Sequence, residues 1–282
     1  MPKSLAELRA PLLRWYGRSR RDLPWRRSRD PYAIWIAEVM LQQTRVSAVL
    51  PYYERFIERF PDPGALAAAA EEEVLAAWSG LGYYRRARAL WAAAQVMVEL
   101  HGGEVPREPD SLLALPGVGR YTAGAIASIA FDLKEPVLDG NVRRVLSRIL
   151  AGDGDERRLW QVAGRLVDGP RPGDLNQALM ELGALVCTPR RPSCNRCPVA
   201  RLCRARLEGH PEEYPPRQER RASENVDVAV ALVRRGERVL LERPTETSPL
   251  RGAWDLPARE VPAAGAVGQA VRRFLAREHG LD

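Results

Sequence analysis

Two carboxylates stand out in an arginine-rich chain because of their neighbours. Glu38 lies in WIAEVML, between Ala37 and Val39 in an otherwise apolar stretch, and Asp139 lies in LDGNVRR beside Gly140. A carboxyl among apolar groups is pushed toward its neutral form and can deliver a proton, whereas one kept ionised stabilises a cation developing beside it. Taken singly, Glu38 could be an exposed helix residue and Asp139 a helix cap. Ahead of Asp139 runs LPGVGRYTA, in which Gly117 and Gly119 are two apart. Both glycines are expected at positive φ, presenting bare backbone N–H groups at the start of the next helix, an arrangement that suits a phosphate. On its own this pattern is equally that of an ordinary helix–helix turn.

All four cysteines fall in one short stretch, spaced Cys187-x6-Cys194-x2-Cys197-x5-Cys203. Disulfides are not expected in a chain whose N-terminus lacks the apolar core of a secretory leader. The clustering therefore points to a metal or iron–sulfur site. Zinc sites usually show paired Cys-x2-4-Cys knuckles, and only one close pair is present; four thiolates also suit a [4Fe–4S] cluster. Arg190, Arg191, Arg196, Arg201 and Arg204 surround the motif, as a solvated basic face or as phosphate contacts.

These residues need a scaffold, and the rest of the chain supplies one. A length of 282 residues suggests about two domains, and 45% hydrophobic with 28% charged residues is an ordinary globular balance. The formal charge of +7 fits a polyanionic partner. Only Lys3 and Lys134 are lysines, so 41 of the 43 basic residues (43 − 2) are arginine. No apolar run reaches the ~18 residues of a membrane span, and a cytoplasmic protein is expected. Residues 1–203 read as helical: WIAEVMLQQTRVSAVLPYYERFIERF, LAAAAEEEVLAAW, ARALWAAAQVMVELHGG, TAGAIASIAF and DLNQALMELGALVC carry helix formers or apolar residues at three and four spacing. Asp110-Ser111 is expected to cap the short helix at SLLAL. Residues 204–225 are charged and proline-containing and read as a linker. In 226–282, VDVAVALVRRGERVLLERP reads as strands around a hairpin at Arg235-Gly236, and AVRRFLAREHG as a helix.

The cysteine spacing matches the cluster motif of the endonuclease III superfamily of DNA glycosylases, and LPGVGRYTA has the form of that superfamily's helix-hairpin-helix. The resemblance runs almost continuously over residues 8–203, through LPWR, GLGYYRRAR, LDGNVRR and NQALMELGALVC. It implies a mainly α helix-hairpin-helix glycosylase fold whose cluster loop is held by Cys187, Cys194, Cys197 and Cys203. Members that also cut the strand carry a lysine in the second helix of the motif. Tyr121 stands there, Lys134 is outside the motif, and arginine does not release its proton, so a monofunctional enzyme is implied. EVMLQQT resembles adenine DNA glycosylases of the MutY type, in which the glutamate protonates the purine. Carried over by position, Glu38 is the general acid, Asp139 supports the sugar cation and the incoming water, and Asn141 orients Asp139 or that water. Gln42 and Gln43 belong to a wedge entering the DNA stack, Leu81 and Tyr83 intercalate, and Trp25, Arg26 and Gln177 form the adenine pocket.

The implied partner is double-stranded DNA with adenine opposite 8-oxoguanine or guanine, bound by a monomer. In this family an α+β domain resembling a Nudix hydrolase recognises 8-oxoguanine. VDVAVALVRRGERVLLERP, RGAWDLP and AVRRFLAREHGLD look like parts of one, though an incomplete one. Phe274 and Arg277 stand where a Nudix box has metal-binding glutamates, leaving Glu278, so Nudix hydrolysis is not expected. Rival readings are a pyrimidine glycosylase/lyase of the endonuclease III type and a non-enzymatic iron–sulfur DNA-binding or redox-sensing protein.

Overall fold

Regular structure up to residue 216 is helical. A computed structural model describes residues 5–216, 226–242, 254–261 and 267–281. The chain divides into two compact units, Met1–Arg217 and Gln218–Asp282. The first contains α1 (Arg9–Ser19), α2 (Pro31–Leu41), α3 (Val46–Arg59), α4 (Pro63–Ala68), α5 (Glu71–Trp78) and α6 (Arg85–His101). It continues through α7 (Pro109–Ala114), α8 (Arg120–Ile129), α9 (Gly140–Leu150), α10 (Glu156–Val167), α11 (Pro172–Leu185) and α12 (Arg204–Leu207). None of the described helices is long and apolar enough to cross a membrane.

The helices bury two apolar cores. One gathers Trp35, Ile36, Met40, Phe56, Trp78 and Leu90 from α2, α3, α5 and α6; the other gathers Leu12, Leu146, Leu166, Leu179 and Leu182 from α1 and α9–α11. α8 serves both, with Ile126 and Ala127 in the first and Ala125 in the second. Its small residues make this possible: a Cβ on Gly124 would lie 2.3 Å from the Pro136 carbonyl oxygen. Its alanines favour the helix, Gly124 weakens it, and both let it be approached closely from two sides.

Several expected boundaries shift for identifiable reasons. The long helix read over WIAEVMLQQTRVSAVLPYYERFIERF is two, α2 and α3, broken at Gln42–Arg45, where tertiary hydrogen bonds described below capture the carbonyls of the last α2 turn. LAAAAEEEVLAAW is likewise broken at Ala69–Ala70. Trp91 Nε1 donates to the Ala69 carbonyl at 2.9 Å, and the Ala70 N–H to Glu73 Oε2 at 3.2 Å. Asp110 does not cap α7, because Pro109 opens that helix and Asp110 sits in its first turn. Residues 204–216, read as the start of a linker, carry α12 and a turn at Pro211–Glu213. Ala205 is buried and the Tyr214 carbonyl accepts from Arg148 Nε at 3.0 Å. Residues 217–225 lie outside the described residues.

In the second unit, β1 (Asp227–Val230) pairs antiparallel with β4 (Ala258–Val261), Asp227 opposite Val261. β2 (Arg234–Arg235) and β3 (Arg238–Val239) form the expected hairpin, with Gly236 at φ +63°. α13 (Val267–His279) packs on β1 and β4 and buries Phe274. Phe274 is thus a core residue of this small unit, and Glu278 is engaged by Arg259, which also pairs with Glu242 at 2.6 Å. RGAWDLP is described only from Trp254 onward, where Asp255 bridges Glu242.

Candidate active site

α2 packs against α3, α6 and α8. Every residue from Tyr32 to Met40 is buried, and Glu38 is the one ionisable carboxyl among them. Burial raises its pKa to about 7, and the charge of Asp139 adds to that rise; the Tyr121 hydroxyl and the Arg26 guanidinium oppose it. Tyr121, on α8, donates its hydroxyl to Glu38 Oε2 at 2.6 Å, with Met180 Sδ 3.3 Å from the same hydroxyl. Glu38 also lines a cleft of about 1500 Å³.

Across the cleft, Asp139 is the N-cap of α9. Its Oδ1 accepts from the Val142 N–H at 2.6 Å and its Oδ2 from Asn141 Nδ2 at 2.9 Å. The residue is therefore both the cap and a carboxylate presented to the cleft. Burial raises its pKa, while the Val142 and Asn141 donors and the nearby Arg144 pull it back toward the ionised form. Asn141 is itself held, since Arg144 Nη2 donates to its Oδ1 at 2.9 Å and to the Gly183 carbonyl at 2.7 Å. α11 comes so close that a Cβ on Gly183 would lie 2.6 Å from Asn141 Cβ. Two carboxyls thus share one cleft, one buried beside a phenol and one fastened to a helix N-terminus, an arrangement that separates an acid from a carboxylate.

The pocket residues form a third group. Arg26 donates to both oxygens of Glu181 at 3.0 Å, and Arg21 adds bonds at 2.6 and 2.9 Å. Burial of Glu181 works against its charge, but the donors from Arg21 and Arg26 outweigh it and bring its pKa down to about 2. Gln177 Oε1 accepts from Tyr16 Oη at 2.9 Å, and Trp25 stands edge-on to Tyr53 with ring centroids 5.0 Å apart. The side chain of Glu181 is fully buried, so Glu181→Ala leaves the largely buried Arg26 guanidinium without its carboxylate and should cost about 3 kcal/mol, read as a lowered Tm. A carboxyl lowered in the fold stabilises fully above its ordinary pKa of 4.5 and loses that contribution as pH falls toward about 2. Acid titration of the wild type should follow that window, and the Ala variant should lack it.

Of the predicted residues, Trp25, Arg26, Glu38, Gln42, Gln43, Gly117, Gly119, Tyr121, Asp139, Asn141 and Gln177 line this one cleft. Two details depart from expectation. Gly117 has φ +74°, with Ala89 Cβ 2.5 Å from where its own Cβ would be, but Gly119 is the extended N-cap of α8 at φ −93°. Leu81 is packed in the first core and does not line the cleft. A side chain that enters a base stack must protrude, and Tyr83, 58% exposed, is the one of the pair that does. Glu181 and Tyr16 are the residues the sequence reading passed over. Glu181 carried the signal already used for Glu38, a glutamate within the apolar stretch ALMELGALV.

The four cysteines are unpaired with one another, and Cys203 is buried. The loop is fastened to α9. Arg148 Nη1 lies 3.4 Å from Cys187 Sγ and donates to the Thr188 carbonyl at 2.7 Å, and Cys203 Sγ donates to the Arg148 carbonyl at 3.3 Å. Burial raises the Cys197 thiol to about 12. The donor set is four thiols within one loop, chemistry that suits an iron–sulfur cluster.

Residues 36–163 match the HhH-GPD superfamily of base excision DNA repair proteins. A thermostable thymine-DNA glycosylase of known structure is 32% identical, with a TM-score of 0.68 over 72% of this chain and 97% of that one. This chain belongs to the HhH-GPD superfamily. A trapped endonuclease III–DNA covalent intermediate is a further superfamily neighbour, at 26% identity and a TM-score of 0.62 over 73% of this chain and 98% of that one. Among curated members, the adenine DNA glycosylase of Rattus norvegicus is 54% identical over 212 residues, and that of Homo sapiens 51% identical over 220. These matches cover 70% and 73% of this chain but 41% and 40% of the two relatives, so the chain spans about two-fifths of their length.

Proposed function

We propose that the cleft is the active site of a monofunctional adenine DNA glycosylase acting in base excision repair on duplex DNA. The observation that carries the reading is Tyr121, bonded to the buried Glu38 at the place where a strand-cutting member would carry its lysine. With a phenol there, the cleft offers an acid and a carboxylate but no amine for a Schiff base. Adenine leaves poorly as an anion and well once protonated, and Glu38, titrating near neutrality, can give its proton to N7 of a base turned into the cleft. The C1′–N9 bond then breaks with its electrons going to the base. Asp139, held by the α9 N-terminus, stabilises the sugar cation. Water adds to C1′ and surrenders a proton, which restores the neutral acid. Trp25, Arg26 and Gln177 would receive the base, and Gln42, Gln43 and Tyr83 would occupy the space it leaves in the stack. The mispair, adenine opposite 8-oxoguanine or guanine, is the one implied by the resemblance of EVMLQQT to the MutY type, and DNA binding would place the protein on the nucleoid in the cytoplasm.

Cys187, Cys194, Cys197 and Cys203 would hold a [4Fe–4S] cluster, which when bound supplies a cross-link fixing the loop rather than a hydrolytic step. Anaerobically purified protein should carry about four iron and four sulfide per chain, and Cys197→Ser should lose most of both. Zinc by elemental analysis would overturn that assignment.

The functional reading is tested in single-turnover reactions on four duplexes, holding adenine opposite 8-oxoguanine, adenine opposite guanine, thymine opposite guanine, and thymine glycol opposite adenine. Free adenine should appear from the first two, with strand breaks only after alkali. Release of thymine, or spontaneous breakage at thymine glycol, would replace this reading with that of another superfamily branch.

A further inference from the structure

Two of the loops proposed to enter DNA share an unusual support. Gln43 and Tyr83 are non-glycine residues at left-handed φ, +56° and +51°. L side chains adopt this conformation at a cost, so something must hold each turn. The same group holds both. Arg86, in the first turn of α6, donates from Nη1 to the carbonyls of Val39, Met40 and Gln42 at 3.0, 2.9 and 2.5 Å. From Nη2 it donates to Thr44 Oγ1 at 3.2 Å and to the Gly82 carbonyl at 3.3 Å. Its guanidinium also lies 5.4 Å from the Trp78 ring centroid and 5.2 Å from that of Tyr83.

No carboxylate pairs with Arg86 among the described ion pairs, and its Nε is buried without a partner. The charge faces carbonyl dipoles at the end of α2, where the last turn lacks the i+4 donors of the helix interior, and the two strained turns beyond. Only a planar fork can reach two loops at once; a lysine ammonium is a single point of donation.

We propose that Arg86 is a positioning residue that locks the Gln42–Thr44 loop and the Gly82–Tyr83 turn into one preset edge, ready before a base leaves the stack. The proposal rests on the glycosylase reading of the cleft. Such an edge matters in proportion to the work of extruding the base. An adenine already unstacked needs little of it, and one paired within a duplex needs it fully.

The test compares wild type, Arg86→Met and Arg86→Lys in single-turnover adenine release. One duplex carries adenine opposite 8-oxoguanine and the other carries adenine in a one-base bulge. Arg86→Met keeps the stem packing and removes the donors. It should lose roughly 30- to 100-fold on the paired adenine and less than about 5-fold on the bulged one, since extrusion is worth a few kcal/mol and tenfold corresponds to about 1.4. Arg86→Lys should fall between. Affinity for an undamaged duplex should stay within about twofold, because phosphate contacts supply that binding. Equal losses on both duplexes would mean that Arg86 serves only the helix bearing Glu38, and no loss on either would remove it from the mechanism; both overturn the proposal.

Hydrogen exchange provides a second readout independent of catalysis. Amides at 42–45 and 82–84 should lose protection together in Arg86→Met, and a change confined to one loop overturns the clip. If Arg86→Met does not fold, Arg86→Lys carries both measurements. If wild type releases no adenine from either duplex, the glycosylase reading fails, and hydrogen exchange alone decides the clip.

Discussion

Glu38→Gln should abolish base release, lowering the single-turnover rate by about 10³-fold or more while leaving DNA affinity and folding near wild type. The amide is isosteric with the neutral acid, so the apolar surroundings that burden a charge at this position accept it. Tyr121 can still donate to its carbonyl oxygen. What the variant lacks is a proton to give. Truncation to Ala would open a hole beside Tyr121 and confound chemistry with packing. The same argument fixes the pH dependence. Glu38 acts in its protonated form, and burial has raised its pKa to about 7. Activity should therefore fall tenfold per unit as pH rises above about 7, whereas an ordinary glutamate would already lose its proton above about 4.3. On the acid side, activity should fall as Asp139 takes up a proton, at a pH above the usual aspartate range because burial raises that group too. Any residual activity of Glu38→Gln should have lost the alkaline limb and kept the acid one. An unchanged alkaline limb in that variant would show that a different group delivers the proton.

The residues of this site were legible in the sequence to the degree that their environment was local. Taken locally, Glu38 reads as a lone glutamate in an apolar helix and Asp139 as a helix cap beside glycine; what singled them out was the resemblance of EVMLQQT and of the spacing from hairpin to aspartate. The cysteines needed no tertiary information, because a loop that binds metal through four thiols carries all of its ligands within a few turns of chain. What could not be read was set by contacts between distant segments. The break between α2 and α3 falls in Gln-Gln-Thr, a sequence with no strong stop, because Arg86 on a helix far along the chain competes for the carbonyls of Val39, Met40 and Gln42. Leu81 and Tyr83 are two residues apart in one glycine-flanked turn, yet one is core and the other protrudes. Spacing alone cannot assign the inner and outer faces of an irregular turn. Glu181 escaped for a different reason: an apolar helix with one glutamate points to burial, but the two arginines that neutralise it come from the loop before α2.

Asp139→Asn should reduce adenine release by about 10²- to 10³-fold while costing little stability, and the contrast between the two readouts separates the roles combined in this side chain. As the N-cap of α9 the residue accepts from Val142, and asparagine caps helices about as well as aspartate. As a carboxylate it also accepts from Asn141, and an amide has only one oxygen for the two donors. One hydrogen bond is therefore lost or reoriented, at a cost of about 1 kcal/mol, which is a few degrees in Tm for a unit of this size. The far larger fall in rate would come from the charge, because a cation at C1′ facing a neutral amide has lost the field that the helix N-terminus and Asn141 keep in place. Removing the charge of Asp139 also removes a repulsion that holds the Glu38 carboxyl protonated, so the alkaline limb of the residual activity should move to lower pH. A variant that kept full activity would reduce Asp139 to a cap, and one that unfolded would leave Asp139→Ser, which retains a capping oxygen without the charge, to settle which role dominates.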